Sequence, residues 1–398
     1  MNRFLKMSMF VFLLCCYSIH AQSVFSSKGA GSPRFFPNAR AMGMGGISYA
    51  LPSLFSISMS NPATLYTISV TRLSIHYGYD NYRIREGTES AASEYSNFGG
   101  FQFAVPLGSG MGVAAGLSPL TRMDYNFVFK ENLSGESYEK SVEGQGGLNT
   151  LMLSFCWAIR QNLSLGISGH LLFGRLREEW NVVYDRTDFV SSKDIYATTN
   201  WGFGFTAGLS FRPLRFLTLG AVFTPTAHLT NRTDSYHTYN VEKQSRDGSL
   251  SYPASWGLGT TFHIGEIGLI GVEYAQQDWS TLTINDQHVS GTQKTQRISA
   301  GLEIQATKEP FTPYLKRIAY RLGCSYQPYF SKDPDGNGIN EYWITAGLGL
   351  PLFMNASQID IAFGLGKRGS LETNGISENL FRITVTVSGG EKWFTRRY

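Results

Sequence analysis

Leu148-Asn149-Thr150-Leu151-Met152-Leu153-Ser154-Phe155-Cys156-Trp157-Ala158-Ile159-Arg160 decides the fold. Leu151, Leu153, Phe155, Trp157 and Ile159 form one bulky apolar set, while Thr150, Met152, Ser154, Cys156 and Ala158 fill the alternate positions. A period of two predicts a β-strand. A strand with one wholly greasy face and one small or polar face suits a wall between lipid and a lumen. After Gln161-Asn162 the pattern returns: Leu163, Leu165, Ile167, Leu171 and Phe173 face one way, Ser164, Gly166, Ser168 and His170 the other. Trp201, Phe203, Phe205, Leu209 and Phe211 repeat it against Gly202, Gly204, Thr206, Gly208 and Ser210, as do Phe381, Ile383, Val385 and Val387 against Arg382, Thr384 and Thr386.

The connections alternate in length. Residues 106–110, 161–162, 213–215, 263–266, 307–313 and 351–355 are short, as periplasmic turns are. Residues 80–96, 126–146, 178–199, 230–251, 280–295, 331–341 and 368–378 are longer and polar, as extracellular loops are. Six short and seven long connections predict an all-β, transmembrane antiparallel barrel of about fourteen strands with both ends periplasmic. Tyr77, Tyr79, Tyr125, Tyr274, Trp279, Tyr329 and Tyr342 lie near loop ends and are expected in an interfacial girdle. The competing reading, a secreted array of β-sandwiches, would bury the bulky face and has no short–long rule.

Composition agrees. Aromatics make up 14% of the 398 residues and charged residues 16%, with 43 glycines, a mix suited to many short strands. Arg3 and Lys6 followed by the apolar run 7–17 and Ile19-His20-Ala21 predict a secretory signal over residues 1–21, with Gln22 the first mature residue. Cys15 and Cys16 raise a lipoprotein reading, but Leu14 stands where a small residue should precede the lipidated cysteine. No later stretch approaches the ~18 consecutive apolar residues of a membrane helix. The formal net charge of +4 includes Arg3 and Lys6, so no nucleic-acid footprint is expected. Parity turns Cys156 inward and Cys324 outward, which predicts free thiols. The histidines lack metal spacing and no nucleophile elbow occurs, so neither an enzyme nor a cofactor is expected.

Residues 39–63 break the alternation with small residues, turn chemistry and short apolar runs, as an enclosed segment would. Three stretches resemble the FadL/TodX family of outer-membrane transporters for hydrophobic compounds. Ala41-Met42-Gly43-Met44-Gly45-Gly46-Ile47 through Asn61-Pro62-Ala63-Thr64-Leu65 is similar to that family's hatch with its Asn-Pro-Ala signature. Gly202-Phe203-Gly204-Phe205 through Phe211-Arg212-Pro213-Leu214 and on to Gly220-Ala221 is similar to its central hairpin. Tyr252-Pro253-Ala254-Ser255-Trp256-Gly257, then Gly271-Val272-Glu273-Tyr274 and Asp278-Trp279-Ser280, resembles its later hairpin. With the signal at 1–21, the likeness implies a hatch at 22–65 and a barrel at 66–388, while residues 389–398 depart from barrels that finish on their last strand and are expected as a periplasmic tail.

It also implies a monomer in the outer membrane of a Gram-negative bacterium, whose partners are the lipid bilayer and a hydrophobic ligand such as a long-chain fatty acid. Passage would be passive and hatch-gated, with lateral release through a kinked third strand. Pro119 in that strand, with Gly116, marks either local unpairing or the rim of a short strand, because proline cannot donate to a ladder. Lumen glycines such as Gly202, Gly204, Gly208, Gly257, Gly259, Gly347 and Gly349 leave room for an occupant. Parity places His170, Glu273, Arg297, Glu303, Arg321, Asp360 and Arg382 in the lumen, to hold the hatch through paired contacts or to grip a ligand carboxylate. Asp333, Asp335, Asn337 and Glu341 outline the first half of a calcium loop, although Ile344 stands where the final bidentate glutamate belongs. The same residues also form ordinary turns. The alternative function is a FadL-like barrel serving as a structural or shuttle component with a secretion-system partner, and an open porin comes third.

Overall fold

The structure, a computed structural model, describes residues 24–34, 38–133, 136–184, 189–238, 240–265, 267–306, 312–352 and 357–393. The expected signal peptide and residues 394–398 of the expected tail lie outside them. A short strand β1 (Ser32–Pro33) and a helix α1 (Ala39–Gly43) precede a 3-10 turn over Pro62–Thr67. The wall then begins with β2 (Thr71–Glu86), β3 (Glu89–Gly108), and β4 (Met111–Pro119) continued by β5 (Thr121–Leu133). Next come β6 (Glu136–Arg160), β7 (Leu163–Tyr184) and β8 (Ser192–Leu214). β9 (Leu217–Thr224) continues as β10 (Ala227–His237), and β11 (Asn240–Tyr252) as β12 (Ser255–Ile264). β13 (Gly268–Asp278) leads to the short β14 (Thr283–Ile284) and β15 (Gln287–His288). β16 (Lys294–Ile304), β17 (Ala319–Lys332), β18 (Gly338–Leu352), β19 (Ser357–Ser370) and β20 (Ile376–Glu391) complete the chain, with the single-turn α2 (Leu371–Asn374) before the last.

Counting each broken strand once, these form a closed antiparallel barrel of fourteen strands. β20 pairs with β2 from Thr71↔Glu391 to Glu86↔Ile376, so the sheet closes on itself. Closure follows from the solvent: a backbone group in hydrocarbon has no water to bond, so every strand must be paired on both sides. The alternation read from the sequence gives the wall its two faces. Leu151, Leu153, Phe155, Trp157 and Ile159 are exposed on the outside, and Thr150, Met152, Ser154 and Cys156 are buried inside. Both cysteines of the wall are free thiols, Cys156 buried and Cys324 exposed.

Three expectations are corrected. First, four of the long polar stretches, 80–96, 126–146, 178–199 and 230–251, are mostly strand rather than loop. β6, β7 and β8 run 25, 22 and 23 residues, where about 9–11 suffice to cross a bilayer. Their outer parts are paired by backbone in water, where neither face has to be apolar, and this erased the alternation. Second, the boundaries move: the wall starts at Thr71 instead of 66, and β20 runs to Glu391, past 388. Third, Tyr125, Trp279 and Tyr329 do not belong to the outer girdle. They are 4%, 0% and 2% exposed and pack with Phe25, Leu282 and Phe330 in an apolar cluster inside the barrel. Tyr77 and Tyr342 do face outward.

Prolines interrupt three wall strands with different results. At Pro225 and Pro253 the ladder resumes beyond the break, from Ser255↔Thr224 to Ala227↔Tyr252. In the third strand it does not. β4 pairs with β3 on one side and β6 on the other, whereas β5 keeps β6 but meets β1 where β3 should be.

Candidate functional site

The lumen is occupied by residues 38–70. Asn38 starts α1 by accepting the Ala41 N–H at 2.8 Å, and its amide also donates to Ile57 O at 3.2 Å. Asn61 does the same for the Pro62–Thr67 turn, accepting the Ala63 N–H at 3.0 Å. Its amide donates to Tyr49 O at 2.7 Å and to Leu209 O of β8 at 3.0 Å, so one fully buried side chain caps a turn, folds the segment on itself and fastens it to the wall.

Charged wall residues reach in to the same segment. Arg40 donates from Nε to Glu303 Oε2 at 2.8 Å and from Nη2 to Oε1 at 2.7 Å. Glu303 also accepts from Arg321 Nε at 2.6 Å, and Arg321 Nη1 donates to Asp360 Oδ1 at 2.6 Å. Glu273 Oε2 accepts the backbone N–H groups of Ser48 and Tyr49, each at 2.7 Å, while its Oε1 accepts from Arg297 at 2.9 Å. The wall hydroxyls of Thr386 and Thr345 accept the N–H groups of Ala39 and Gly45 at 2.9 and 3.0 Å. These bonds satisfy groups that burial would otherwise penalise by about 1–3 kcal/mol each. Burial in the same region pushes the Tyr49 phenol up to about 12, so it stays neutral.

The expected lumen charges thus sort three ways by their neighbours. Glu273, Arg297, Glu303, Arg321 and Asp360 form the contacts just described. Arg382 pairs with Asp80, which also accepts from Arg34 of the N-terminal segment at 3.0 Å. His170 stands apart, bonded through Nε2 to Thr206 at 2.8 Å.

Glycines let wall and segment approach closely. A Cβ on Gly347 would meet Gly43 Cα at 3.1 Å, and Gly45, at φ +71°, sits where a Cβ would strike the carbonyl oxygens of Cys324 and Ala300. Gly46 also has positive φ, at +92°.

The calcium ligand set does not assemble. Asp333 accepts from Asn337 N at 2.7 Å and from the Asn374 amide at 2.9 Å, as a turn would arrange it. Asp335 is exposed, and Glu341 is buried inside the barrel, accepting from Arg368 at 2.5 Å, Trp343 at 2.7 Å and Gln327 at 3.0 Å. Among the described residues no group of three or more acidic, histidine or cysteine side chains could hold a metal ion.

Between the segment and the outer end of the lumen lies a cavity of about 300 Å³. Met59, Met152, Leu172, Val222 and Trp256 give it apolar lining, with Tyr49, His76, Gln102 and His170 as polar points and Arg34, Asp80, Arg297 and Arg382 as charged ones. It extends to Gly99, Ser118, Pro119 and Leu120, where the second and third wall strands part. Gly116 is still paired on both sides, to Gln102 and Met152. The break opens beyond Phe101↔Leu117 instead, with Pro119 paired only to Asn149. Sequence reasoning missed Arg34, Arg40, His76, Asp80 and Gln102. Extending the parity of Ser74 through Asp80 would have found two of them, His76 and Asp80, had 80–96 not been read as a loop.

Comparison with known proteins places this geometry. The chain is similar to the solved FadL homologue of Pseudomonas aeruginosa, at 14% identity and a TM-score of 0.64, covering 91% of this chain and 100% of that one. The toluene transporter TbuX of Ralstonia pickettii follows at 14% identity and TM-score 0.61, covering 92% and 100%. TodX, the toluene transporter of Pseudomonas putida, aligns at 16% identity and TM-score 0.59, covering 91% and 99%. At such identities these likenesses establish a shared FadL-type barrel fold. No curated protein matches the chain. The BamG family model matches residues 3–398, and the chain therefore belongs to the BamG family, built on a FadL-type outer-membrane barrel.

Proposed function

We propose that this barrel carries hydrophobic small molecules passively across the outer membrane, with residues 38–70 as the hatch and lateral release at the break in the third strand. The observation that carries this reading is the continuity of the apolar cavity with Pro119 and Leu120, where β5 has no partner in β3. An apolar solute leaving there would pass into lipid without crossing water, and burial of each CH₂ group is worth about 0.8 kcal/mol. The cavity sits at the lower end of the ~300–1,000 Å³ typical of ligand pockets, which favours slender or small solutes. Long-chain fatty acids remain within the class if the tail extends through the break.

A deletion strain tests the reading when assayed for uptake of hydrophobic substrates beside secretion of surface proteins. Reduced uptake with intact secretion is the expected result. Unchanged uptake with lost secretion would replace it with the secretion-component reading.

A further inference from the structure

Where the second and third wall strands part, the N-terminal segment takes over the backbone of the third. Ser32 and Pro33 pair with Arg122 and Thr121, and the Arg34 N–H donates to Leu120 O at 3.1 Å. The Thr121 hydroxyl donates to Ala30 O at 2.6 Å. Among the described residues no strand pairing joins this patched edge to β3, so the wall is completed there by side chains.

One contact spans the break. The guanidinium carbon of Arg122, on β5, stands 3.2 Å from the ring centroid of Tyr95, on β3, and that of Arg34 stands 5.8 Å from the same ring. Both cations are held in place from behind: Arg122 by Asp124 at 2.6 Å, Arg34 by Asp80 at 3.0 Å. The Nη2 atom of Arg34 is buried without a hydrogen-bond partner among the described residues, which leaves it dependent on neighbours such as the ring face. A strand ladder cannot open at one point without exposing a row of backbone groups, whereas a ring held by cation contacts can swing out and return.

We propose that Tyr95, approached by Arg122 and Arg34, is the seal of the break: a positioning residue that sets how readily an apolar solute passes sideways from the cavity into lipid. The proposal rests on the lateral-release reading above. It assigns the rate of passage to a side-chain contact at the wall instead of to the hatch bonds.

The full-length protein in liposomes tests it, with transfer of the apolar fluorophore N-phenyl-1-naphthylamine into lipid as one readout and swelling in arabinose as a measure of polar leakage. Tyr95→Leu and Arg122→Gln should speed transfer about fivefold or more, the size of one lost cation–π contact, with swelling unchanged. Tyr95→Phe, which keeps the ring, should transfer at the wild-type rate. Spin labels at Ala92 and Val128, exposed on the two flanking strands, give a second readout that needs no transport. Their distance distribution should broaden in Tyr95→Leu and not in Tyr95→Phe. The seal is overturned if the Phe and Leu variants behave alike, or if wild type transfers the fluorophore and Tyr95→Leu changes neither rate nor distances. A wild-type rate equal to protein-free liposomes overturns the uptake reading itself and the seal with it.

Discussion

Arg40 of the hatch and Glu303 of the wall, 263 residues apart in sequence, share two hydrogen bonds of 2.8 and 2.7 Å in a buried bidentate pair. Glu303 is the hub, because Arg321 donates to it as well and hands a second bond to Asp360. Removing the Glu303 charge leaves Arg40 without a carboxylate partner and Arg321 with Asp360 alone, while removing Arg40 leaves Glu303 still paired to Arg321.

Glu303→Gln should therefore cost about 3–5 kcal/mol, the penalty for breaking a buried pair from one side. Arg40→Leu should cost less. Heat-modifiable migration on gels reads the loss as a lower unfolding temperature, and liposome swelling reads hatch release as leakage. Equal behaviour of the two variants would show that the hatch is held elsewhere.

Asn61→Ala removes the cap of the Pro62–Thr67 turn and both amide bonds, to Tyr49 O and Leu209 O. The expected loss is about 2–4 kcal/mol, a cap plus buried carbonyls left without a donor. Asn61→Asp keeps the acceptor and should be no better, since its carboxylate would face two carbonyl oxygens. Normal unfolding temperature and no added solute leakage in Asn61→Ala would reduce the segment to a turn before the wall.

What could be read from the chain followed the solvent. Where lipid meets the wall, as at Leu151 to Ile159, one face must be apolar, and period two is forced. Above the bilayer that demand ends, and the paired strands around Arg85, Glu178 and Lys243 carry polar residues on both faces, indistinguishable from loops. Lumen parity located Glu273, Glu303, Arg321 and Asp360 because they lie on lipid-level strands. It could not pair them with Arg40, Ser48 and Tyr49, since the hatch has no period of its own and its contacts arise only on enclosure. Glu341 shows the same limit: read as a loop ligand, it is the buried acceptor of Arg368.

Calcium should leave the unfolding temperature unchanged, within about 1 °C, in either calcium or chelator. The oxygens of Asp333 are already occupied by Asn337 and Asn374, and Glu341 is committed to Arg368. A rise of several degrees with calcium, lost in Asp335→Asn, would contradict the turn described here.

Gly323 of β17 separates a wall requirement from a hatch requirement. A Cβ there would collide with Gly45 N and the Met44 carbonyl carbon, backbone atoms that cannot rotate aside. Gly323→Val should thus displace the hatch, at about 1–3 kcal/mol or more for overpacking, while Gly323 keeps its cross-strand partners Gly301 and Thr345. Gly169→Val is the matched control, a wall glycine whose Cβ would meet nothing within 4 Å. Limited proteolysis with gel mobility distinguishes the outcomes. The expected result is a folded barrel whose residues 38–70 become cleavable in Gly323→Val and stay protected in Gly169→Val. Protection in both would mean that the hatch tolerates a shift at its glycine face, and that the charged contacts of Glu273 and Glu303 hold it without close packing.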